Sequence, residues 1–97
     1  MQKREVVTDI SKRTGITKTD ILVVLEAFFE QVKSTLKNGE YIYIRGFGTF
    51  MIKKRAQKTG RIILKNESVE IPEHYIPFFK PSKRFKQIVA KQKENSI

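Results

Sequence analysis

The stretch EYIYIRGFGTFMIKKR, residues 40–55, decides how the rest of the chain is read. Tyr41, Ile42, Tyr43 and Ile44 are aromatic or β-branched, the types that fit a pleated surface. Gly46 and Gly48 interrupt the run, after which Phe50 and Ile52 alternate with Met51 and Lys53. Two strand-like runs around paired glycines predict a hairpin, with GFGT (46–49) as its turn or sharp bend.

Upstream the period becomes helical. Val6, Val7 and Ile10 recur at helical spacing within residues 3–14, and Gly15 is a stop signal. In TKTD, residues 17–20, Thr17 is placed to cap the next helix, with Asp20 three positions on. Ile21, Leu25, Phe28, Phe29, Val32 and Leu36 then form one apolar stripe, widened by Leu22 and Val24, and Asn38-Gly39 ends the helix.

Downstream, a third strand is expected near Glu67, where Val69 and Ile71 alternate with Ser68 and Glu70 and Pro72 closes the run. Residues 55–66 are left as a long two-stranded arm or a loop. IPFFKP (76–81) reads as a short extended piece held by Pro77 and Pro81. Ser82 then caps a final helix with Phe85, Ile88 and Val89 on one face. Helix, helix, three strands, helix is an α+β order.

At 97 residues the chain has room for one small domain. With 39% hydrophobic residues its core is modest, so pairing with a second copy is a natural expectation. The net charge is +10, unevenly spread. Residues 1–40 carry a balance of +1 and residues 41–97 a balance of +9. The first part reads as a scaffold and the second as the working surface. The absence of cysteine excludes disulfides, a thiol nucleophile and Cys-ligated zinc. The charged N-terminus and the lack of any apolar run near the roughly 20 residues that span a bilayer predict a soluble cytoplasmic protein, with no membrane partner.

Catalytic chemistry has little to stand on. His74 is the single histidine, beside Tyr75 near a proline-bounded bend, and reads as a surface residue. No carboxylate pairs with it at a recognisable spacing. GFGTF is superficially similar to a nucleotide loop but lacks the third glycine and the helix that should follow. No catalytic residue, cofactor, metal or small-molecule substrate is expected.

Two basic clusters carry the chemistry instead. Lys53, Lys54, Arg55, Lys58 and Arg61 fall within nine residues free of acids. Lys80, Lys83, Arg84, Lys86, Lys91 and Lys93 form the second, also free of acids. A charge run is usually a solvated face, but two unopposed runs at this net charge point to a polyanion. Such contacts supply affinity without reading sequence and make binding salt-dependent.

Between the clusters lies KTGRIILKNESVEIP, residues 58–72, where Ile62, Ile63 and Leu64 stand between Arg61 and Lys65. Two readings are open on residue chemistry alone. The run packs on Val69 and Ile71 within the arm, or one apolar side chain wedges between base pairs from the minor groove and kinks the duplex.

RGFGTF (45–50), RAQKTGR (55–61) and IPFFKPSKRFK (76–86), with their mutual spacing, resemble the HU/integration host factor family of bacterial histone-like DNA-binding proteins over roughly residues 1–91. The resemblance implies an intertwined dimer: two helices per subunit, a three-stranded antiparallel sheet, an extended β-ribbon arm embracing the minor groove, and a short C-terminal helix. It implies one domain, 1–97. Residues 1–39 would be a helical dimerisation body, 40–81 a sheet with its arm at about 53–76, and 82–93 the last helix. The matching basic positions are Lys3, Arg55, Lys58, Arg61, Lys80, Lys83 and Lys86; Lys53 and Lys65 extend the basic set. Phe29, Phe47, Phe50 and Phe79 would form the dimer core. The family commonly carries RNPxxGK at the arm tip, with proline as wedge. Here the run is RIILKNE (61–67), with Ile63 in the proline position and Asn66 in the glycine position.

The expected function is architectural: double-stranded DNA in the nucleoid, bent or compacted with low sequence specificity by a homodimer. A site-specific bender acting as a heterodimer with a second homologous subunit is one alternative. A basic RNA-packaging protein that bends nothing is the other.

Overall fold

The computed structural model describes residues 1–56, 58–62 and 67–95, and the side chains of 1–56 and 72–91. The chain divides into two compact units, Met1–Ser34 and Thr35–Ile97.

The first unit holds helix α1 (Lys3–Thr14) and most of α2 (Lys18–Lys37). Gly15 adopts φ 76°, a left-handed conformation that costs glycine little, and its N–H donates to the Ser11 carbonyl at 2.9 Å. Thr17 Oγ1 accepts the Asp20 N–H at 3.3 Å, as the capping pattern predicts. Val7 of α1 and Ile21 of α2 are buried.

In the second unit α2 ends where the Gly39 N–H meets the Leu36 carbonyl, and Leu36 is buried. Strand β1 (Ile42–Ile44) turns into β2 (Gly48–Arg55), and the Phe47 N–H closes the turn on the Ile44 carbonyl at 3.0 Å. Gly46 takes φ 78° in that turn. The turn, residues 44–47, is therefore two residues earlier than GFGT suggests, and Gly48 and Thr49 already belong to the strand.

Strands β3 (Lys58–Ile62) and β4 (Glu67–Ile71) pair only with each other among the described residues. The third strand of the main sheet is β5 (His74–Pro81), and the sheet order is β1-β2-β5. This corrects the expectation for both segments: 67–71 belongs to the ribbon, and 76–81 lies in a full eight-residue strand. Proline lacks an N–H and argues against a central strand, but β5 is an edge, where that loss is tolerated. β2 pairs with β5 from Gly48↔Pro81 to Arg55↔His74, and three residues further along each strand the ribbon begins at Lys58↔Ile71. The two ladders share one register.

Helix α3 (Lys83–Asn95) follows, with the Phe85 N–H donating to Ser82 Oγ at 3.1 Å. The Ser82 N–H donates to the Phe47 carbonyl at 2.9 Å, tying the helix start to the hairpin turn. Phe47, Phe50, Phe79 and Phe85 form an aromatic cluster, with Phe50 and Phe79 at 4.9 Å and Phe47 stacked on Phe85 at 5.2 Å. Among the described residues only Val7, Ile21 and Leu36 are buried apolar side chains. Leu22, Val23, Val24 and Phe29 on α2, and Ile88 and Val89 on α3, stay exposed. The apolar stripe read from the sequence is thus only partly covered within one chain.

Candidate nucleic-acid interface

Pairing across an antiparallel ladder places partners on one face, and alternation separates the two faces. One face of the main sheet carries Ile42, Ile44, Phe50, Ile52, Pro77 and Phe79. The aromatic cluster draws on this face. The other carries Tyr43, Thr49, Met51, Lys53 and Arg55, with Lys80, Phe78, Ile76 and His74 opposite them. Lys53, Arg55 and Lys80 are therefore brought onto one surface, and no acid stands at any of these positions. Lys53 and Arg55 come from the first basic cluster of the sequence and Lys80 from the second.

The intervening Lys54 points to the opposite face, and its Nζ pairs with Glu73 Oε1 at 2.9 Å. Among the described side chains of the first cluster, it is the cation whose charge is locally compensated. Lys53 differs: its Nζ stands 4.9 Å from the centroid of the Phe78 ring. The sequence pattern does not single out Phe78. The register does, because Phe78 pairs with Met51 while its neighbour Phe79 pairs with Phe50 on the core side.

Lys83 and Lys86 lie one turn apart on α3, both exposed. Lys3 lies on α1 in the first unit, where its ammonium is ion-paired with Glu26. Glu26 was not distinguishable in sequence from the other acids of its helix. Lys58 and Arg61 fall on β3 in the ribbon. Ile63 and Lys65 lie outside the described residues. Of the expected dimer core, Phe47, Phe50 and Phe79 come together within one chain, joined by Phe85, whereas Phe29 belongs to the other unit and contacts Phe28 at 6.4 Å. His74 is exposed, with Nδ1 2.9 Å from the Pro72 carbonyl oxygen.

Among the described residues no group of three His, Cys, Asp or Glu side chains is placed to hold a metal ion, and no helix is long and apolar enough to cross a membrane. The surface offers fixed positive charge on a pleated sheet, suited to a row of phosphates.

The bacterial DNA-binding protein family profile matches residues 1–90. DNA-binding protein HU of Clostridium pasteurianum is 37% identical over 94% of this chain and 100% of its own length. DNA-binding protein HU 2 of Bacillus phage SPbeta is 35% identical over 92% of this chain and 97% of its own. Among solved structures, the Anabaena HU–DNA cocrystal structure superposes with a TM-score of 0.87 at 32% identity, covering 93% of this chain and 98% of that one. HU from Thermotoga maritima gives a TM-score of 0.65 at 27% identity, over 92% and 98%.

Proposed function

Because the chain belongs to the HU family of bacterial DNA-binding proteins, we propose that it is an architectural protein that binds double-stranded DNA and bends or compacts it with low sequence specificity. The observation that carries this reading is the acid-free sheet face bearing Lys53, Arg55 and Lys80. Its three cations come from two segments of sequence that the β2–β5 ladder brings side by side. The likeness to a protein crystallised on DNA supports the same partner.

The working form is a homodimer. A 97-residue chain with three buried apolar side chains among those described has a small core that a second copy would enlarge. A second copy covers Leu22, Val23, Val24 and Phe29 on α2 and completes the cluster around Phe47, Phe50 and Phe79. The chain acts as one domain, residues 1–97, in the cytoplasm on the nucleoid, without catalysis. Residues 1–39 serve dimerisation, 40–81 carry the sheet and a DNA-binding arm at about 53–76, and 82–93 the last helix. The arm residues Arg55, Lys58, Arg61 and Lys65 grip the minor groove and its phosphates, and Ile63 is the wedge. Lys3, Lys80, Lys83 and Lys86 hold flanking DNA against the body. Phosphate contacts position the duplex, while the cost of bending it falls on the contacts the bend creates.

Energy transfer between dyes at the two ends of a short duplex tests this. A rise that saturates with binding at moderate salt is expected. Binding with unchanged transfer would leave a charge-driven packaging protein and remove the architectural role.

A further inference from the structure

We propose that Phe78 is a positioning residue for Lys53, and that the pair forms a preorganised phosphate contact on the sheet face. This rests on the reading of that face as a DNA surface. Phe78 pairs with Met51 and Lys53 with Ile76, so the ring and the ammonium are diagonal neighbours on adjacent strands. Nζ lies 4.9 Å from the ring centroid, within the range in which a ring quadrupole attracts a cation. The ring is 37% exposed, so it is not consumed by the core on the far side of the sheet.

The contrast with three other lysines gives the contact its meaning. Lys54 is held by Glu73, Lys3 by Glu26 and Lys33 by Glu30. Each of these partners brings a negative charge that offsets the lysine's own and competes with a phosphate for it. The Phe78 ring has no net charge. It restrains the Lys53 side chain while leaving its full charge for a ligand. A free lysine loses much of its rotamer freedom when it grips a phosphate, and a lysine already resting on a ring loses less.

A double-mutant cycle on DNA affinity tests the proposal, using a mixed-sequence duplex of ~25 base pairs at several salt concentrations. Phe78→Leu keeps an apolar side chain in the strand and should weaken binding about two- to fivefold. Lys53→Ala should weaken it and lower the slope of log K against log salt by about 0.9 per lost phosphate contact, or about 1.8 for the two copies in a dimer. In the Lys53→Ala background, Phe78→Leu should have no further effect, and Phe78→Trp alone should retain the original affinity. Circular dichroism and the thermal midpoint report folding separately, and Phe78→Trp keeps the test usable where the leucine variant folds poorly. Equal losses from Phe78→Leu with and without Lys53 would make Phe78 a packing residue and overturn the positioning role alone. No effect of Lys53→Ala on affinity or slope would overturn both that role and the sheet-face reading.

Discussion

Gly48 packs so closely on Phe79 that a Cβ placed on it would stand 2.6 Å from the ring and equally close to the Lys80 carbonyl oxygen. The contact joins the first residue of β2 to the strand that carries Lys80, so it fixes both the aromatic cluster and one cation of the sheet face. Backbone and a packed ring cannot both give way cheaply. Gly48→Ala should cost about 1–3 kcal/mol, as overpacking of a well-filled site does. Urea unfolding monitored by tyrosine fluorescence would measure it, and an unchanged midpoint would mean that Phe79 has room to move.

Stability should depend on protein concentration. Unfolding a dimer releases two chains, so mass action raises the thermal midpoint as the protein is concentrated. Scanning calorimetry over a hundredfold concentration range should show that rise. Val24→Glu, at a position 69% exposed within one chain, should shift sedimentation toward the monomer. A midpoint independent of concentration would show that the single chain suffices.

Glu26 restrains the ammonium of Lys3 on the surface of the first unit. Glu26→Gln removes the competing carboxylate and leaves Lys3 free for a phosphate. Exposed ion pairs are worth roughly 0–1 kcal/mol, so the gain in DNA affinity should be at most about fivefold at low salt and should vanish as salt screens it. Titrations at two ionic strengths would register the difference. An equal gain at both would point to a cause other than charge.

Ile63 is expected to act on bending more than on binding. Phosphate contacts supply most of the affinity, whereas an inserted side chain acts on base stacking. Ile63→Ala should therefore lower end-to-end energy transfer at saturation while changing affinity by less than about threefold. Equal loss of both, or of neither, would sink the wedge assignment.

The helices and their caps were legible because each is specified locally. Thr17 meets Asp20 and Ser82 meets Phe85 as the pattern requires. The main sheet was harder. Pro77 and Pro81 argue against a strand, and nothing local to IPFFKP says that it lies at an edge, where proline is admitted. The basic clusters were plain in the sequence, and so was their division over two strand faces, but the partners on each face were not. Lys53 and Lys54 are neighbours in the chain and opposites in space, one over Phe78 and the other on Glu73. Strand alternation parts them, and the long-range register decides what each one meets. The pairing of Lys3 with Glu26, 23 residues away, was invisible for the same reason.

The common register of the two ladders makes reach a stepped quantity. Deleting one residue from each strand between Arg55↔His74 and Lys58↔Ile71 would turn every position beyond it to the opposite face. Deleting two from each would restore the faces and shorten the ribbon by about 6.8 Å. Relatives of different span should therefore differ by even numbers of residues per strand, and a graft of a longer ribbon should respect the same parity.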